Sequence, residues 1–135
     1  MKTGLDRIRV ADVMHRGIFS CTGDAPLGEV AGVMAKHRVH AVAVTNRDGR
    51  WPVGVVSDLD VVAAMASRGE PSALQTAATE PLSISADDSL HHAAQLMAEH
   101  SVSHLVVHDA ANGNPIGILS TLDLAAAFST VDERG

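Results

Sequence analysis

Tyrosine is missing from this sequence, and aromatic residues make up only 2% of its 135 positions: Phe19, Trp51 and Phe128. The core must therefore be built from Ala, Val, Leu, Ile and Met. Those residues are plentiful, since 46% of the chain is hydrophobic. Cysteine is nearly missing too. Cys21 stands alone, which excludes a disulfide framework and a zinc site built on a cysteine cluster. No apolar run approaches the roughly 18 residues of a membrane span, so no membrane partner is expected. Residues 1–10 carry Lys2, Asp6, Arg7 and Arg9 with no apolar stretch, unlike a secretory signal. The expectation is a reduced, cytoplasmic setting. Cations are scarce: 10 Lys and Arg against 16 Asp and Glu, a net charge of −6. That balance argues against a nucleic-acid surface and leaves room for a small anion at a local site. At roughly 100–200 residues per domain, the length fits one compact module.

What is present is a repeat. Offsetting the chain by 63 positions aligns residues 11–66 with 74–129 without a gap, and 16 of the 56 pairs are identical. They include Ser20/Ser83, Asp24/Asp87, Leu27/Leu90, Met34/Met97, His37/His100, Gly54/Gly117, Ser57/Ser120 and Asp60/Asp123. Each copy reads β-α-β-β-α. A short extended piece (18–21; 82–84) leads into a helix. Its apolar residues, Leu27, Val30, Ala31 and Met34, or Leu90, Ala93, Ala94 and Met97, keep the i, i+3, i+4, i+7 spacing of one face. Asp24 and Asp87 stand as its expected N-caps. Two apolar runs follow, Ala41–Val44 then Val53–Val56, and Leu105–Val107 then Ile116–Leu119. They are separated by Asn46-Arg47-Asp48-Gly49 and by residues 109–114, as in a hairpin. A second helix (58–66; 121–128) closes the copy. Its alanines (Ala63, Ala64 and Ala66; Ala125, Ala126 and Ala127) read as core in preference to a dimer face. A unit of roughly 55 residues is marginal alone. The expectation is therefore an α/β (α+β) fold of two repeats, 8–67 and 74–130, joined by linker 68–73. The repeats would pack pseudo-symmetrically through their sheets around a cleft.

The strongest local signal is also doubled: Gly54-Val55-Val56-Ser57-Asp58-Leu59-Asp60 and Gly117-Ile118-Leu119-Ser120-Thr121-Leu122-Asp123. A strand runs into Ser and a helix starts at once. Taken alone, Ser followed three residues later by an acid is first a capping box. The same geometry suits a nucleoside phosphate. A helix N-terminus offers N–H groups and partial positive charge to a phosphate. The Ser hydroxyl adds a donor, an Asp can accept from paired ribose hydroxyls, and Gly permits close approach of ligand or backbone. The two readings are compatible, because one Asp can cap when empty and bind when filled.

With Asp12-Val13-Met14, Ser20…Asp24…Leu27, Val39…Val44 and both Gly-h-h-Ser-x-x-Asp segments (h, apolar), residues 10–130 resemble a tandem pair of CBS (cystathionine-β-synthase) domains, a Bateman module. The resemblance implies an adenosine ligand (AMP, ADP or ATP, or alternatively S-adenosylmethionine or NAD). It places ribose on Asp60 and Asp123, and phosphate near Ser57 and Ser120 at helix starts that also carry Asp58 and Thr121. It places the base beside Ile18 and Ser20, and beside Pro81 and Ser83. His40 and His104 take the place of the family's phosphate-facing basic residue. The sequence departs from the family at Ala43 and Val106, where Pro is usual, and at Pro81, which removes one N–H. Residues 11–66 hold five cations (Arg16, Lys36, Arg38, Arg47 and Arg50) and residues 74–129 none. A multiply charged phosphate is therefore expected to prefer copy one. Homodimerisation is a further implication.

The eight histidines show no ligand pair at metal spacing, so no metal site is expected. His37 and His100 close equivalent helices, where they suit the C-terminal dipole. Cys21 reads as a buried strand thiol. No nucleophile–base–acid set is present, so no catalytic residues and no required cofactor are expected. The resulting expectation is a regulatory module that reports adenosine-nucleotide occupancy to an unknown target protein. The alternative is a structural or dimerisation module with vestigial sites.

Overall fold

The computed structural model describes residues 4–46, 52–77 and 81–133. The elements run α1 Gly4–Arg7, α2 Val10–Val13, β1 His15–Arg16, β2 Ser20–Thr22, α3 Leu27–His37, β3 Ala41–Thr45, β4 Pro52–Ser57 and α4 Asp58–Ser67. They continue α5 Ala73–Thr76, β5 Ser83–Ser85, α6 Leu90–His100, β6 His104–His108, β7 Pro115–Ser120 and α7 Thr121–Glu133. The fold is mixed α+β, with two sheets. It divides into two compact units: unit 1 joins Met1–Gly17 to Leu82–Gly135, and unit 2 is Ile18–Pro81.

In unit 2 the sheet order is β2-β3-β4, with β2 parallel and β4 antiparallel to β3. The central strand β3 is buried from Ala41 to Val44, as expected of a strand covered on both faces. Leu27, Val30 and Met34 of α3 pack on Val42, Val44 and Val56. The helical stripe read from sequence thus faces the sheet. Unit 1 repeats this plan with β5-β6-β7, and Leu90, Ala93 and Met97 of α6 pack on Leu105, Val107 and Leu119. Its sheet gains a fourth strand, because β1 pairs antiparallel with β7. Gly117 is what admits β1: a Cβ there would collide with the His15 carbonyl oxygen and press on Met14 Sδ at 3.1 Å.

The compact units cut across the sequence repeat. Val10 and Ala73 are 63 positions apart and both fully buried, each in the unit built around the other copy. The Val10 N–H donates to Asp88 O at 2.8 Å and the Ala11 N–H to Ala86 O at 2.9 Å in unit 1. The Ala73 N–H donates to Ala25 O and the Leu74 N–H to Gly23 O, both at 2.9 Å, in unit 2. Each unit is therefore closed by the short helix that precedes the other copy in sequence.

Four expectations need correction. Asp24 and Asp87 are not the N-caps. The caps are Pro26, which makes no side-chain bond, and Ser89, whose Oγ accepts the His92 N–H at 3.1 Å. Asp24 instead takes the Thr22 hydroxyl at 2.6 Å within the preceding turn. The second helix of copy two runs to Glu133, past the expected 128. The alanine-rich helices are core only in part. Ala127 is buried and Ala64 half-buried, but Ala63, Ala66, Ala125 and Ala126 are exposed. Cys21 lies in β2 as expected but is only half-buried. The hairpin β3–β4 forms as read, and Arg47, Asp48 and Gly49 of its turn fall outside the described residues.

Candidate functional site

Strand register brings most of the sequence-derived residues of unit 2 to one end of its sheet. β2 and β3 start there, with Ser20 opposite Ala43, and β4 ends there, with Ser57 opposite Ala41. Helix α4 begins directly after Ser57. Its capping box is complete: Ser57 Oγ accepts the Asp60 N–H at 3.2 Å, and Asp60 Oδ2 accepts the Ser57 N–H at 2.8 Å. Unit 1 reproduces the geometry. Ser120 Oγ accepts the Asp123 N–H at 3.2 Å, and Asp123 Oδ2 accepts the Ser120 N–H at 2.9 Å. The cap reading is thus realised twice, and each box holds a carboxylate in a fixed pose.

Gly54 and Gly117 do not reach these helix tips. They face Val44 and Val107, three residues back along their strands. At about 3.3 Å per residue that is roughly 10 Å away. Gly117 serves the close approach of β1 described above. Ile18 and Ser20 precede and open β2, and Ser83 opens β5, all at the helix-tip end of their sheets. Pro81 ends the chain segment of unit 2.

The histidine pair also needs correction. His40 and His104 are not counterparts. The Asp58 N–H donates to His40 O at 2.9 Å, while the matching Thr121 N–H donates to Ser103 O at 3.0 Å. His104 pairs with Ser120 in the position that Ala41 holds opposite Ser57. The 63-residue offset sets His40 against Ser103, so the basic residue is one strand position later in copy two. His104 remains at the same end, with its Nδ1 2.9 Å from Ser103 Oγ.

The helix starts differ in charge. Asp58 Oδ1 accepts the Leu59 N–H at 2.9 Å, and Asp58 Oδ2 lies 2.9 Å from His40 Nδ1. A carboxylate of the chain itself therefore occupies the anion-binding end of α4. In α7 Thr121 replaces Asp58, so Leu122 N–H meets no such carboxylate. This local charge difference runs opposite to the one obtained by counting cations along the sequence. Arg16, assigned to copy one by sequence, belongs to unit 1, and Arg47 and Arg50 lie outside the described residues.

Two contacts carry no local sequence signal. His15 Nδ1 sits 3.2 Å from Asp123 Oδ1 and 3.3 Å from Oδ2, across 108 residues of chain. Phe19 stacks on His37 with ring centroids 4.1 Å apart, bracing the entry to β2 against the end of α3. Two surface hollows in unit 2 miss the capping boxes. One, of about 610 Å³, lies between α3 and α4, and one, of about 660 Å³, lies beside Asp24, Thr45 and Leu74. Among the described residues, no group of three or more His, Cys, Asp or Glu could hold a metal ion, and no helix is long and apolar enough to cross a membrane.

Comparison with known proteins follows the duplication. Residues 10–67 and 75–130 each match the family model for the CBS domain. A solved CBS domain protein from Pyrobaculum aerophilum, complexed with AMP, is 33% identical with a TM-score of 0.80; the match covers 93% of this chain and 99% of that one. The CBS domain-containing protein YhcV of Bacillus subtilis is 29% identical over 93% of this chain and 89% of its own length. A homoserine O-acetyltransferase of Methanosarcina acetivorans is 28% identical over 98% of this chain. This chain spans only 24% of that enzyme's length.

Proposed function

Because the chain belongs to the CBS-domain family, we propose that it is a non-catalytic regulatory module that binds an adenosine nucleotide of the AMP, ADP or ATP class and passes occupancy to a partner protein. The observation that carries this reading is the doubled capping box. Two Asp carboxylates are held at two helix starts, each with one oxygen on a backbone N–H and lone pairs left over for hydroxyl groups. Asp60 and Asp123 take the ribose, and Ser57 and Ser120 lie beside the phosphate. Ile18, Ser20, Pro81 and Ser83 border the base, and His40, Asp58, His104 and Thr121 set the local charge. The AMP bound by the Pyrobaculum relative supports the ligand class. The phosphate favours α7, where no Asp58 carboxylate competes for the helix N–H groups.

The module works as a homodimer in this proposal. Leu59, Val62 and Met65 on α4 are 72%, 57% and 71% exposed, and Leu122 and Phe128 on α7 are 65% and 56% exposed. The first row falls on i, i+3 and i+6 of its helix, and the second on i and i+6. Large apolar side chains exposed along each of these helices support a protein partner.

Thermal denaturation with AMP, ADP, ATP, S-adenosylmethionine and NAD tests the ligand reading. A ligand at 100 times its Kd adds about 2.7 kcal/mol per site. No shift with any of the five would leave a structural module as the function. Conversion of the nucleotide in the same samples, seen by chromatography, would make the protein an enzyme.

A further inference from the structure

The Asp123 carboxylate is 9% exposed, whereas the His15 side chain beside it is 76% exposed. Ser120 N–H takes one oxygen, and His15 Nδ1 stands astride both, at 3.2 and 3.3 Å. An ionised carboxylate only accepts, so Nδ1 carries the proton and donates. That position, in front of both oxygens, is the one a cis-diol must take to bond with one hydroxyl on each. His15 arrives on β1, which is held by its pairing to β7 opposite Ile118 and Gly117. The residue 63 positions on is Ala78, which has no ring to offer.

We propose that His15 is a built-in competitor for the ribose seat of unit 1: the imidazole occupies Asp123 until the sugar displaces it. The inference rests on the ribose assignment made above and adds a regulatory difference between the two sites. Displacement is feasible because the ring is mostly in solvent and, among the described residues, its hydrogen-bond partner is Asp123. The seat is opened at the expense of one charge-assisted bond, and the affinity of unit 1 falls accordingly. His15 acts through Asp123, so it is a positioning residue. Its effect must then depend on the hydroxyls that Asp123 would hold.

Calorimetric titration of the full chain decides this, with Asp60→Ala included to silence unit 2 and circular dichroism confirming each fold. The probes are AMP and 2′,3′-dideoxy-AMP, which lacks both ribose hydroxyls. Adding His15→Ala to Asp60→Ala should tighten AMP about five-fold, the equivalent of roughly 1 kcal/mol, and leave the dideoxy analogue unchanged. His15→Asn, whose amide nitrogen stands where Nδ1 does, should keep the wild-type affinity. Binding of AMP to the double variant alone would be the strongest form of the same result. An equal gain for both nucleotides, an unchanged affinity or a loss would overturn the competitor role. If AMP binds the wild type but neither Asp60→Ala nor the double variant, unit 1 has no ribose seat and the inference fails. If AMP does not bind even the wild type, the ribose reading itself fails first.

Discussion

Asp60→Asn separates the two duties assigned to one carboxylate. As a cap, Asp60 accepts the Ser57 N–H at 2.8 Å through a single oxygen. An amide oxygen in the same place can do this. What Asn loses is the charge at the start of α4, about 0.3–1 kcal/mol. Asp60→Ala also strips the bond from a half-buried N–H, and caps of this kind cost about 1 kcal/mol. For a chain of this size that is roughly 3–5 °C in Tm. As a ribose holder, by contrast, the carboxylate needs both oxygens, and Asn offers one. With both sites at 100 times Kd, ligand adds about 5 kcal/mol to the wild type and about 2.7 kcal/mol to either single variant. The expected pattern in thermal denaturation is therefore specific. Asp60→Asn keeps nearly the wild-type Tm without ligand and loses about half of the AMP-induced rise. Asp60→Ala loses both. A full AMP-induced rise in Asp60→Asn would refute the assignment of ribose to this side chain, whatever happens to the Ala variant.

Three further outcomes follow from the packing. Starting the chain at Ile18 removes Val10, Met14 and β1 from the core of unit 1; amide exchange should then lose protection in β7 and α6 while β3 keeps it, and uniform protection would count against the unit division. Gly117→Ala drives a methyl into the His15 carbonyl and should cost about 1–3 kcal/mol in urea denaturation, an effect absent if β1 is not paired there. Burial first, and the Glu29 carboxylate second, push the Cys21 thiol above its ordinary range. A folded pKa above the unfolded one, about 8.5, gives stability that is complete below the unfolded value and is lost as pH climbs through the folded one. The wild type should therefore lose more stability than Cys21→Ala between pH 7 and pH 10, and parallel losses would show that the thiol is not desolvated.

What could be read before any coordinates were known is local. Leu27, Val30 and Met34 mark a buried helix face because the period of the helix is shorter than the window that contains them. The box of Ser57 and Asp60 spans one turn, so its two bonds are written within four residues. The errors are of two kinds. Asp24 and Asp87 each lie two residues before the true cap, in a turn with its own hydroxyl: the Thr22 hydroxyl donates to the Asp24 carboxylate, and Ser85 Oγ accepts the Asp87 N–H. A side chain that satisfies a turn and one that satisfies a helix look alike in sequence. The remaining misses are non-local. Helix α2 has four residues, too few for a period to show which core it joins. The contact from His15 to Asp123 crosses the whole of unit 2 in sequence, so no spacing rule could anticipate it.

The duplication explains why the two sites need not act alike. An offset of 63 residues preserves what stabilises both copies: the buried stripe, the hairpin and the Ser–Asp box. It leaves free what folding does not demand. Asp58 became Thr121 at the helix start, His40 fell opposite Ser103, and Ala78 stands where the first copy has His15. Asp58 against Thr121 and His40 against Ser103 alter the charge or the donors at a helix start whose carboxylate the cap already holds. A fixed carboxylate with variable neighbours is a means of giving one fold two affinities. A weak site and a strong site on a single chain extend the range of ligand concentration to which it responds, whereas two identical independent sites respond only around one Kd.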